Sequence, residues 1–166
     1  MKKIRNMKKL VEYLTNNEKT ISVMESCTGG AITNAITNIP GSSDVIKYSA
    51  ITYSNEFKIK LGVKEEKIKK YTVYSMEVAD EMSTVIANYT NSNYSIGVTG
   101  RLNRIDKNNI DNEDEPVNEV FISIYDKDND KYYQDIITVK RNSRKANKKK
   151  VIKTILNTFN DIIKNI

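Results

Sequence analysis

Histidine is absent from all 166 residues, and no other count in the chain excludes as much. Its absence removes Ser-His-Asp and Cys-His catalysis, both of which need an imidazole to carry a proton. With a single cysteine, Cys27, that absence leaves zinc only carboxylates to bind, so no zinc site is expected. One cysteine also excludes an internal disulfide, which fits a cytoplasmic protein. No apolar run approaches the roughly 20 residues of a membrane span. The N-terminal MKKIRNMKKLVEYL lacks the apolar core and cleavage site of a signal peptide and reads as an amphipathic helix, so no membrane partner is expected. If the chain is an enzyme, its side-chain base is Lys, Tyr, Asp or Glu.

What is present fits one soluble domain over residues 1–166, with 39% hydrophobic residues and no linker or repeat. The net charge of +6 admits an anionic partner, but abundant Lys, Asn and Ile beside two prolines also fit a biased codon usage. The basic run KRNSRKANKKK at 140–150 carries no interleaved aromatics, so it reads as a solvated helix start and a nucleic-acid partner is not expected.

Periodicity supplies the elements. Ile4, Met7, Leu10, Val11 and Leu14 share one face of a first helix. TISVME at 20–25 reads as a short buried strand, and Ile32, Ala35, Ile36 and Ile39 line a helix ended by Pro40 and Gly41. Residues 44–54 are β-rich, and short helical pieces broken near Gly62 follow. SMEVADEMSTVIANY at 75–89 is a helix with Ser75 as its N-cap, and YSIGVTG at 94–100 is a strand. A polar loop runs from Arg101 to Glu115; then come a hairpin turning at KDND and a last helix over 143–164. Helices alternating with strands, plus a hairpin, predict an α/β layered domain with a mixed sheet.

ESCTGG, residues 25–30, falls between a predicted strand and a predicted helix. That puts Ser26 at the C-terminal edge of the sheet, where ligand sites of open α/β sheets gather. Main-chain N–H groups of Thr28, Gly29 and Gly30 at the helix start would suit a phosphate or an oxyanion. The spacing equally fits a capped turn, with Ser26 or Thr28 as the N-cap.

ESCTGG, then GSS at 41–43, TYSNEFK at 52–58 and VTG at 98–100, resemble in order and spacing the CinA C-terminal domain family, whose active members are nicotinamide mononucleotide deamidases. The resemblance spans nearly the whole chain and matches the stand-alone form of the domain. It implies a three-layer α/β/α fold with a mixed sheet, a homo-oligomer, most simply a dimer, and a small-molecule nucleotide substrate. It implies Ser26 as nucleophile with Tyr53 and Lys58 as its proton-handling partners, a chemistry that requires no metal or organic cofactor. For substrate contacts it points to Glu25, Thr28, Gly29, Gly30, Ser42, Thr99, Gly100 and Arg144. The alternative is a catalytically inactive relative that binds a nucleotide or serves as an interaction module. The chain departs from the family after Gly100, where RLNRIDKNNIDNEDE replaces an Ile-Ala-Gly-Pro segment and its glycine-rich loop. A family Arg pair near the last helix is matched by Arg144 and Lys148, and Arg101 or Arg104 could add a phosphate contact.

Overall fold

The computed structural model describes residues 6–103, 118–139 and 143–164. Ile4 and the loop residues from Arg104 onward, both part of the sequence reading, lie outside them.

Helix α1 (Met7–Asn16) starts at Asn6, whose side chain accepts from Lys9 N–H, and buries Met7, Leu10, Val11 and Leu14. Strand β1 (Ile21–Glu25) is buried throughout. Helix α2 (Ala31–Thr37) and a short 3-10 turn (Ser42–Asp44) lead to β2 (Ile46–Ile51). Helices α3 (Asn55–Leu61) and α4 (Glu65–Tyr71) are separated at Gly62. Helix α5 (Met76–Thr90) is capped by Ser75, as predicted, through a bond from Val78 N–H. Strands β3 (Tyr94–Gly100), β4 (Glu119–Asp126) and β5 (Lys131–Thr138) precede α6 (Arg144–Lys164).

The five strands form one sheet in the order β2-β1-β3-β4-β5. Strands β2, β1 and β3 run parallel, and β4 and β5 add antiparallel. The predicted mixed sheet is thus a parallel half joined to a hairpin. Side chains alternate across it and feed two cores. Val23, Ile96, Ile122 and Ile124 pack with α1, α2 and α6 on one face. Met24 packs with Val78, Met82 and Ile86 of α5 and with α4 on the other. Helices therefore cover both faces. No helix among the described residues is long and apolar enough to cross a membrane.

Parallel pairing decides which loops share an edge. Glu25 lies beside Ile51 on β2 and Val98 on β3, so the segments after all three strands emerge together. The predicted position of Ser26 at the C-terminal edge follows directly.

Candidate active site

Strand β1 ends at Glu25, and the Ser26 N–H donates to Val98 O at 3.0 Å, which fixes Ser26 against β3. The chain then turns: Gly29 N–H donates to Ser26 O at 2.9 Å, and Gly30 takes the helix N-cap position with φ 91°. That left-handed conformation favours glycine, which has no Cβ to strain.

Lys58 approaches from α3. Ser54 starts that helix by accepting from Phe57 N–H, and one turn later Lys58 points inward, 1% exposed. Its Nζ donates to Ser26 Oγ at 3.1 Å and to Thr52 O at 2.7 Å. Ser26 itself is 8% exposed. A hydroxyl and an amine are thus in contact in a nearly dry environment, the arrangement in which an amine can take a proton from an attacking oxygen. Beside them Cys27 is buried, and burial pushes its thiol up to about 12 against the opposing pull of Arg144 and Lys58. It is a protonated packing residue.

Tyr53 does not join this pair as expected. It is 61% exposed, and its hydroxyl accepts from Arg144 Nη2 at 3.1 Å. The reason is local: Tyr53 follows the end of β2, outside the strand, and the start of α6 comes over it. Arg144 and Lys148 are one helical turn apart, and Lys148 Nζ lies 3.4 Å from where a Cβ on Gly29 would be. The sheet edge therefore carries a buried Ser26/Lys58 pair and, next to it, the exposed Tyr53 and Arg144 with the half-buried Lys148.

Several residues expected to touch substrate are occupied otherwise. The buried Glu25 carboxylate accepts from the Thr28 hydroxyl and from the N–H groups of Ile32 and Thr33. Glu25 and Thr28 thus face each other, inward. Of the three N–H donors expected at the helix start, that of Gly29 is taken by Ser26 O. Thr99 donates its hydroxyl to Val73 O at 2.6 Å and ties β3 to the segment before α5. Gly100, at φ 143°, lies so close to β4 that a Cβ would meet Glu119 O at 2.3 Å, so its role is strand packing. Gly30 faces Ile51, whose Cδ1 lies 3.0 Å from a built Cβ. Ser42 precedes β2 and so sits toward the N-terminal edge of the parallel strands, whereas Ser26 follows β1 at the C-terminal edge.

Arg101 is 5% exposed, and its guanidinium stacks 3.8 Å from the centre of the Tyr74 ring. Asn147 on α6 donates to Leu102 O at 2.7 Å, anchoring the segment after β3. Sequence reasoning missed Asn147, Thr52 and Thr33. A signal existed for Thr33: a glycine N-cap has no side chain to accept the helix's first N–H groups, so an acceptor had to come from elsewhere, and Glu25 was the nearest acid. Among the described residues no group of three or more Cys, Asp or Glu is placed to hold a metal ion.

The model of the CinA C-terminal domain matches residues 4–163. A CinA-like protein of Endomicrobium trichonymphae is 50% identical over 88 residues, covering 52% of this chain and 21% of that protein. A CinA-like protein of Prochlorococcus marinus is 40% identical over 116 residues, covering 69% of this chain and 26% of that one. The chain thus spans about a quarter or less of the curated relatives it matches. Among solved structures, the competence/damage inducible protein CihA from Agrobacterium tumefaciens superposes with a TM-score of 0.83 at 25% identity, over 92% of this chain and 90% of that one. A competence or damage-inducible protein from Enterobacter asburiae gives 0.84 at 18% identity, over 98% and 99%, a likeness of fold.

Proposed function

We propose, from the premise that this chain belongs to the CinA C-terminal domain family, that it hydrolyses the carboxamide of nicotinamide mononucleotide to nicotinic acid mononucleotide and ammonia. The observation that carries the reading is the 3.1 Å contact between Lys58 Nζ and Ser26 Oγ inside a buried site. With no histidine anywhere in the chain, the amine in that contact is the natural base.

In this reading the neutral Lys58 amine accepts the Ser26 proton along the same contact with donor and acceptor exchanged. One of its two N–H groups stays on Thr52 O. Ser26 Oγ attacks the carboxamide carbon, and N–H groups of Thr28 and Gly30 meet the developing oxyanion. Lys58 returns the proton to the departing nitrogen, ammonia leaves, and an ester to Ser26 remains. Water then attacks the ester, Lys58 takes its proton and passes it to Ser26, and the acid is released. No step calls for a metal.

The phosphate is held by Arg144 and Lys148, with Tyr53 as a hydroxyl partner. Arg144 offers a planar fork, whereas Lys148 offers a compact charge. The test is ammonia release by the purified protein from nicotinamide mononucleotide and from its phosphate-free riboside. The nucleotide is the better substrate, and Arg144→Ala raises its KM roughly ten- to hundredfold, the loss of one charge-assisted hydrogen bond. Equal use of both compounds, unaffected by Arg144→Ala, would reject the phosphate site. No turnover of either by folded protein would favour an inactive, nucleotide-binding relative.

A further inference from the structure

We propose that Glu25 is a positioning residue that holds the nucleophile and the base in register from beneath the site, and that it does not bind substrate. The idea rests on the Ser26/Lys58 reading for its chemistry, and on Glu25's own contacts for its geometry. The side chain is fully buried. Its Oε2 accepts from the Thr28 hydroxyl at 2.6 Å and Ile32 N–H at 3.2 Å. Its Oε1 accepts from Thr33 N–H at 2.9 Å and the Thr33 hydroxyl at 2.7 Å. A carboxylate has about four lone-pair directions. Four donors fill them, so no acceptor is left for a substrate.

These donors lie on the far side of the nucleophile turn. Thr28 belongs to the turn, and Ile32 and Thr33 open α2. Gly30, at the N-cap, makes no side-chain cap bond, and Glu25 supplies the missing acceptor from the strand end. Ser26 is therefore gripped from both ends, by β1 before it and by α2 after it.

The main chain of the same residue governs the base. Glu25 O accepts from Thr52 N–H at 2.9 Å, and Thr52 O accepts from Lys58 Nζ at 2.7 Å. A closed ring results: Ser26 Oγ to Lys58, Lys58 to Thr52, Thr52 to Glu25, and Glu25 back along the chain to Ser26. Loosening Glu25 shifts the two reacting groups against each other, while Arg144 on α6 stays where it is. Turnover should fall and substrate affinity should hold.

Glu25→Gln keeps the shape but turns one oxygen into a donor, which then faces the N–H of Ile32 or Thr33. The expected result is a drop in kcat of about ten- to hundredfold with KM within about twofold, the scale of a small misplacement of reacting groups. Amide hydrogen exchange should speed up in both 26–33 and 52–58 and stay unchanged across β4 and β5. A raised KM at unchanged kcat would make Glu25 a substrate ligand and overturn the proposal. Faster exchange confined to 26–33 would overturn the coupling. Should Glu25→Gln not fold, Thr28→Val removes one donor and should give the same pattern with a kcat loss of about three- to tenfold. If the wild-type protein releases no ammonia, the amidohydrolase reading fails on its own, and the exchange pattern alone upholds or overturns the role of Glu25.

Discussion

Two lysines two positions apart show what separates a buried side chain in contact with Ser26 from a solvated one. Lys58 faces inward onto Ser26, whereas Lys60 is exposed and pairs with Glu56 one turn before it. An exposed pair of that kind contributes little. Lys58→Met should therefore lower kcat by about 10²–10⁴-fold, the range of a lost general base, while Lys60→Met stays near the wild-type rate. An ammonia assay on both variants decides it; equal effects would remove Lys58 from the chemistry. Cys27 yields a different residue-level prediction. Its thiol is raised from an ordinary 9.0 to about 12, mainly by burial. A raised folded value means the native state keeps a proton that the unfolded state has already lost. Stability from this group is thus full below pH 9 and is lost as pH rises from there toward 12. Denaturant titrations at pH 8 and pH 10.5 should show a larger loss for the wild type than for Cys27→Ala.

Between elements, α5 lies directly against β3 at Gly97. A Cβ on Gly97 would lie 2.2 Å from Ala79 O and 2.7 Å from Ser83 N, both helix backbone. Gly97→Ala must push the helix off the strand, and overpacking against backbone has no rotamer to relieve it. A destabilisation of at least about 3 kcal/mol is expected in chemical denaturation; a loss under about 1 kcal/mol would mean that α5 slides freely. The sequence showed that Gly97 sits in a strand but not what lies above it. The same limit explains the rest. Apolar spacing in α1, α5 and α6 made those helices legible, because period reports which side is buried. It does not report the neighbour across the gap. Ser26 and Lys58 were legible through a motif, whereas Tyr53 was assigned to them although α6, about ninety positions later, supplies its partner Arg144. Ser42 came from the resemblance alone, and only the parallel pairing of β1 and β2 shows which edge it occupies. Thr99 and Gly100 were legible as a strand end, but their partners Val73 and Glu119 are tertiary neighbours.

Across the whole molecule the charge is uneven. Helix α6 opens with Arg144, Lys145, Lys148, Lys149, Lys150 and Lys153 and no acid before Asp161. Cations at a helix N-terminus oppose its dipole, so this end of α6 is locally unfavourable and strongly positive. It lies at the mouth of the Ser26 site, and the +6 net charge reinforces it. Such a field raises the local concentration of an anionic substrate and is weakened by salt. Between 20 and 200 mM salt, KM for nicotinamide mononucleotide should therefore rise by about threefold or more, while KM for the riboside, which keeps the pyridinium cation but lacks the phosphate, should not rise. Parallel salt series on the two substrates test it, and identical slopes would assign the basic end of α6 no part in substrate capture.

The bond from Ser26 N–H to Val98 O also has a consequence in time. It joins positions about seventy residues apart, across a parallel pairing that needs α5 as its crossover. The β4–β5 hairpin closes over a four-residue turn and needs nothing distant. During folding, then, the hairpin can exist while Ser26 still has no address. Loop-closure cost predicts that the hairpin pairs before Ser26 reaches Val98 and Lys58, an order that pulsed hydrogen exchange would read as protection of β4 and β5 ahead of β1.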